Sequence, residues 1–282
     1  SLAAFAALAA AIFAATLTQR LSGQGLGMVG APAVAIIAPQ HLPSSLLILG
    51  LLIGAGALSF DRSAINWREA RPGMIGRAVG GFIGAGIAAL VVDPDLFAVI
   101  VALIILIAIA LTLSGLKVAI TPVSLSIAGA TAGVMGTLTA VGAPPMAILY
   151  SGEEAKRSRA MQNLFFVWGM FWSIGALALV GLVRIADLTL VAALSPFAIA
   201  GLLGFLAGMS ADLDVLIRSP ADPLLFLEYH RQFSHSLVFI PVGGWICASV
   251  LHLLLGRRWG LSFRQSWLYC TLGYATHALL DA

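Results

Sequence analysis

Apolar runs of about membrane-crossing length follow one another along almost the whole chain. They lie near residues 2–18, 21–39, 44–59, 75–92, 96–115, 119–136, 137–150, 163–183, 187–208, 236–255 and 265–281. A helix of ~20 apolar residues crosses a bilayer core, and in lipid each backbone N–H and C=O must be bonded within the protein. Helices satisfy both demands. Charged residues are 10% of the chain, against roughly 25% in an ordinary soluble domain, and mean hydropathy is +1.02. The expected fold class is therefore all-α, a polytopic integral membrane protein of about 10–11 helices. The net charge of +3 is spread over short loops with no basic tract. It reports orientation in the lipid bilayer and speaks against a nucleic-acid partner. Cys247 and Cys270 fall inside apolar runs, where a thiol behaves as a small hydrophobe and not as part of a disulfide framework.

One short word occurs twice. Met28-Val-Gly-Ala-Pro-Ala-Val-Ala-Ile36 and Ala140-Val-Gly-Ala-Pro-Pro-Met-Ala-Ile148 agree at six of nine positions, 112 residues apart. Each copy places a Gly and a Pro inside an apolar run, so an interrupted helix is expected at Pro32 and at Pro144-Pro145. Interrupted helices at matching positions of two halves point to a transport pathway near the bilayer midplane. Chance repetition in an Ala/Gly-rich chain, or close helix packing, is the competing reading. The small-xxx-small pairs Gly80/Gly84, Gly129/Gly133 and Gly204/Gly208 read as packing positions. Gly25-Leu-Gly-Met-Val-Gly30 fits a dinucleotide-loop pattern, but no strand precedes it and the setting is a membrane.

Charge asymmetry orients the spans. Arg62, Arg68 and Arg71 lie in one loop, and Lys156, Arg157 and Arg159 in another. Both are expected on the cytoplasmic side. If the two interrupted segments cross the membrane, the repeat copies are inverted relative to one another with both basic loops inside; if they are re-entrant, one basic loop falls outside, so the charge rule favours crossing. The same count puts Arg257, Arg258 and Arg264 on the outer side.

The first three quarters of the chain resemble the sulfite exporter TauE/SafE family of membrane transporters. The resemblance rests on Gly23-Gln-Gly-Leu-Gly-Met-Val-Gly-Ala-Pro32 and on Gly133-Val-Met-Gly-Thr-Leu-Thr-Ala-Val-Gly-Ala-Pro-Pro145. Ala31 and Ala143 stand where the family usually has the second glycine of a pair. The resemblance implies a transporter domain over residues 1–207, with an internal repeat at about 1–95 and 119–207, in the inner membrane. It implies a small sulfur-containing or organic anion as substrate, and no cofactor. The residues that would meet such an anion are Gly25, Gly27, Gly30, Pro32, Gly136, Gly142, Pro144 and Pro145, the glycines leaving backbone N–H groups uncovered at the broken helix ends. Arg20, Ser22, Gln24, Thr137 and Thr139 are nearby polar groups with capping as their alternative role.

The last quarter changes character. Asp212, Asp214, His235, His277 and Asp281 are acids and histidines in an otherwise apolar context. Such ligands suit Zn²⁺, Mn²⁺ or Mg²⁺, and the i, i+4 spacing of His277 and Asp281 puts them on one helix face. With His230, Arg231 and Ser234-His235-Ser236, these residues resemble the YdjM-like family of membrane-bound, metal-dependent hydrolases. That implies a hydrolase segment over residues 208–282, with the five residues as metal ligands and His230 and Arg231 in catalytic roles. Ser210 replaces a proline that the family often has, and the chain ends at Ala282 within a helical pattern, which reads as a segment incomplete at its C-terminus. The competing reading is a set of solvated helix ends. His41 and His252 read as interfacial or packing histidines.

Three functions compete. One is an anion transporter carrying a hydrolase module; another is a membrane metallohydrolase whose N-terminal helices are mainly an anchor. The third is a fusion with a passenger half. Sequence names neither the anion nor the oligomeric state.

Overall fold

The computed structural model describes residues 2–22, 25–91, 93–211, 236 and 238–281. Among them are eleven α-helices and no strand. In chain order they are α1 (Leu2–Ser22), α2 (Gly25–Ile37), α3 (Ser44–Asp61), α4 (Trp67–Leu90), α5 (Pro94–Leu113), α6 (Pro122–Thr139), α7 (Pro144–Tyr150), α8 (Ala155–Leu179), α9 (Ile185–Ala211), α10 (Ile240–Leu251) and α11 (Phe263–Asp281). Five of these are long and apolar enough to cross a membrane: α1, α4, α5, α8 and α9. The chain forms two compact units, residues 1–196 and 197–282.

Two ion-pair clusters mark opposite ends of α3 and of α8 in the first unit. At one end, Arg157 pairs with Glu69 (2.6 Å) and Glu153 (2.5 Å), and the Tyr150 hydroxyl donates to Glu69 (2.8 Å). The two basic loops therefore meet at one end of the unit. At the other, His41 Nδ1 lies 2.8 Å from the buried carboxylate of Asp187, and Ser44 donates to the carbonyl of Leu182 (3.0 Å). The isolated histidine of the sequence is thus an acid-paired one.

Glycines let α4 and α6 touch along their backbones. A Cβ at Gly80 would strike the carbonyl of Ala130, one at Gly129 that of Gly73, and one at Gly133 that of Arg77 (2.6 Å). The contacts climb both helices in the same direction, Gly73 with Leu125, Gly76 with Ala130 and Gly84 with Val134, so α4 and α6 run parallel. α7 then returns: Gly142 lies against Ala132, and Tyr150 reaches Glu69 at the end where α4 and α6 begin. With seven residues, α7 is ~10 Å long and does not cross a bilayer by itself, so the second interrupted segment turns back, which corrects the expected crossing there. α1 and α2 form a second hairpin, in which Gly30 lies on Ile12 and Ala15, while Gln19 accepts the Leu26 N–H (3.0 Å). It ends beside His41, at the opposite end of the unit.

The two copies of the repeated word fold differently. α2 runs through Pro32 as a helix, correcting the expected interruption there, whereas Ala140–Ala143 is non-helical and Pro144-Pro145 opens α7. One interior proline deletes one helix hydrogen bond, which a membrane helix tolerates. Two in succession delete two, and fit at the first helical positions, where those N–H groups have no partner anyway. α4 also begins earlier than the apolar run at 75–92 predicts, because Asn66 caps Glu69 and carries Arg68 and Arg71 into the first turns.

In the second unit, Leu203, Ala207, Cys247, Ala248, Cys270 and Tyr274 form the core. Both cysteines are free and buried. Gly204 and Gly273 bring α9 and α11 into backbone contact, and Gly244 admits Thr271. His252 bonds Ser266 (3.0 Å) and stacks edge-on against Phe263, a packing role.

Candidate functional site

At the helix interruption Ala140–Ala143 the start of the second word meets the residue that precedes the first. Ala140 ends α6 in the left-handed region (φ 62°), its N–H bonded to the Gly136 carbonyl (2.8 Å). Thr139 secures the turn by accepting the Val141 N–H (3.0 Å) while donating to Met135 (2.7 Å). Gly27, from the motif stretch 23–32 and one residue before the first word, lies so close that a Cβ there would strike the Ala140 carbonyl oxygen. The tip of the α1–α2 hairpin thus presses on the break between α6 and α7.

Of the glycines and prolines singled out by sequence, the structure gathers Gly27, Gly136, Gly142, Pro144 and Pro145 at this junction. Gly30 instead faces Leu46, Ile12 and Ala15, and Pro32 lies inside α2. Gly25 opens α2. The start of α7 differs from an anion-binding helix end. Pro144 and Pro145 carry no N–H, and the Met146 and Ala147 N–H groups are bonded to the Ala143 carbonyl (3.1 and 3.0 Å). Thr137 is engaged with Ser173 (2.6 Å).

The positive group at the break is a residue outside both words. Arg77 stands ten residues into α4, ~15 Å along its axis, and only 2% of it is exposed. Its guanidinium fits where three glycines leave space. A Cβ at Gly136 would lie 2.6 Å from Nη2, one at Gly142 2.5 Å from Nη1, and one at Gly169 would overlap Nε. Nη1 has no hydrogen-bond partner, and among the described residues no carboxylate pairs with Arg77. Beside it is a cavity of about 10 Å³ bounded by Gly142, Ala143, Met146, Gln162, Phe165 and Phe166. Gln162 donates to Ser158 (2.8 Å), and the adjacent Asn163 accepts from Gln19 (3.3 Å) while its buried Nδ2 is unpartnered. Sequence reasoning passed over Arg77 because it belongs to no motif. Its signal was a lone cation within the apolar run 75–92.

The residues expected to hold metal are described only in part. Asp212, Asp214, His230, Arg231 and His235 lie outside the described residues, and so do the side chains of His277 and Asp281, whose backbones are one turn apart on α11. Among the described residues no group of three His, Cys, Asp or Glu could hold a metal ion.

Comparison with known proteins agrees with the membrane architecture. The family model described as YdjM inner membrane protein matches residues 173–282. No curated protein and no solved structure gives a significant match. The family model described as sulfite exporter TauE/SafE matches residues 8–212, well over half of the chain and all of the helices that build the junction. The chain belongs to the sulfite exporter TauE/SafE family and is an integral protein of the inner membrane.

Proposed function

We propose that the chain carries a small anion, sulfite or a related sulfur-containing or organic anion, across the inner membrane along a path through the junction of the α1–α2 hairpin with the α6–α7 break. The observation that carries this reading is the backbone approach of Gly27 to Ala140 at an interrupted helix. Non-helical backbone at membrane depth is tolerated where it is enclosed by protein or lines a cavity. The two hairpins, α1–α2 and α6–α7, are followed by α3 and α8, which run in opposite directions, and this supports an inverted repeat around this point. Family membership supports the substrate class. The test is flux of sulfite, short sulfonates and short carboxylates in vesicles reconstituted with wild type, Gly27→Leu or Gly142→Leu. Both substitutions force bulk into backbone contacts, so flux is expected to fall at least tenfold. Unchanged flux in both variants removes the pathway from the junction.

The match over residues 173–282 and the one-turn spacing of His277 and Asp281 on α11 favour a second activity in the C-terminal segment. In this reading Asp212, Asp214, His235, His277 and Asp281 hold Zn²⁺, Mn²⁺ or Mg²⁺, which when bound lowers the pKa of its water for hydrolysis. Arg231 binds the substrate anion and His230 moves a proton. Metal analysis of purified wild type, His235→Ala and His277→Ala tests it. Loss of divalent metal in both variants is expected, and equal metal content in all three overturns it.

A further inference from the structure

We propose that Arg77 is the anion-binding residue of this pathway, holding a small oxyanion in the fork of its guanidinium at the α6–α7 break. The proposal rests on the transport reading of the junction and gives it a binding group.

Charge is the first argument. A guanidinium stays protonated in proteins. Removing one from water without an opposite charge is costly, and intramembrane cations that face a bundle interior are placed on ion and substrate paths. Arg77 is almost fully buried in a spanning helix, and its Nη1 has neither a carboxylate nor a hydrogen-bond acceptor among the described residues. None of the described residues supplies the compensating charge, and a bound anion would.

Space is the second argument. Three different elements, α6, the break and α8, present glycine to the guanidinium at Gly136, Gly142 and Gly169. Alanine at any of them would overlap the arginine. Two of the three lie in the second motif stretch, so those glycines make room for a cation.

Chemistry selects the ligand. The planar fork of arginine matches two oxygens of a sulfite, sulfonate or carboxylate group, and a spherical halide cannot use both prongs. Met146, Phe165 and Phe166 wall the cavity with apolar surface, which strengthens an ion pair by lowering the local dielectric. At about 10 Å³ the cavity has room for about one water. An oxyanion is larger than one water, so its binding requires this cavity to widen.

The experiment uses the full chain in detergent and in vesicles, with sulfite, methanesulfonate, acetate and chloride as probes. Binding is read as the concentration that half-saturates the rise in unfolding midpoint, and flux is read separately. In wild type the three oxyanions saturate and chloride does not. Arg77→Lys raises the half-saturating concentration at least tenfold, Arg77→Gln removes saturation, and Gly169→Ala, which displaces the guanidinium but keeps its charge, weakens binding. Values for Arg77→Lys and Arg77→Gln within twofold of wild type overturn the proposal while leaving wild-type transport intact. If Arg77→Gln does not fold, Arg77→Lys and Gly169→Ala decide alone. Chloride matching the oxyanions overturns recognition by the fork, and a wild type inert to all four probes overturns the transport reading together with this one.

Discussion

Ala140 is the described non-glycine residue with positive φ, and it sits where Gly27 at the tip of the α1–α2 hairpin touches the α6–α7 break. For an L-residue the left-handed conformation costs roughly 1–2 kcal/mol, and glycine relieves that at the expense of a more flexible unfolded chain. Ala140→Gly is therefore expected to unfold at or above the wild-type midpoint, by up to ~1 kcal/mol. Ala140→Val adds a branched Cβ at the same angle and is expected to lower the midpoint by more than ~1 kcal/mol. Thermal unfolding of both variants in detergent checks the pair, and a valine variant as stable as the glycine one would mean the turn is not strained. Arg77 gives the second residue-level lesson. Gly136 and Gly142 are readable as motif positions, but the guanidinium that they surround is three turns up another helix and shares no word with them. A pattern search finds repeated spacing. A single buried cation is found by asking what each charge in an apolar run is paired with.

Helix contacts carry most of the first unit, and α4 shows how unequal its glycines are. Gly80 is pressed against the Ala130 backbone, whereas nothing lies within 4 Å of a Cβ at Gly86 on the same helix. Gly80→Ala must part α4 from α6 and is expected to cost about 1–3 kcal/mol. Gly86→Ala meets no obstacle and is expected to be neutral or to add up to ~1 kcal/mol through helix propensity. Equal unfolding midpoints for the two would contradict the packing described. The spacing of Gly80/Gly84 and Gly129/Gly133 made this contact legible in sequence. Helix boundaries were less so, since the Asn66 cap and Glu69 lie outside the apolar run that hydropathy detects. Pro32 was misjudged for a related reason. The cost of one proline depends on whether neighbours complete its turn, which six identities in nine residues do not encode. Between elements, the partly exposed Glu69–Arg157 pair joins α4 to α8. A double-mutant cycle of Glu69→Gln and Arg157→Gln is expected to show a coupling of about 0.5–1 kcal/mol, reduced by salt. Additivity of the two substitutions would show that the contact contributes nothing.

At the scale of the whole molecule, sequence established the helical membrane class from hydropathy alone, because lipid leaves few alternatives to a helix. The two family matches overlap over residues 173–212, the stretch that includes α9, and the division into compact units at residue 196 falls inside that helix. α9 is therefore common to both matched regions. Orientation follows from the first unit. Arg68, Arg71, Lys156, Arg157 and Arg159 gather at the Glu69 end, and the His41–Asp187 end carries Arg184. Basic residues in short loops stay on the cytoplasmic side, so the Glu69 end is expected to face the cytoplasm and the His41 end to face away from it. Single cysteines in a background of Cys247→Ala and Cys270→Ala can test this in oriented membranes. Gly152→Cys is well suited, since nothing lies within 4 Å of a Cβ there, and Gln40→Cys marks the exposed opposite loop. An impermeant maleimide added outside is expected to label Gln40→Cys in intact cells and Gly152→Cys only after the membrane is opened. The reverse pattern would invert the orientation. Labelling of both sites from one side would break the assignment of His41 and Glu69 to opposite ends, and with it the opposed hairpins on which the transport path depends.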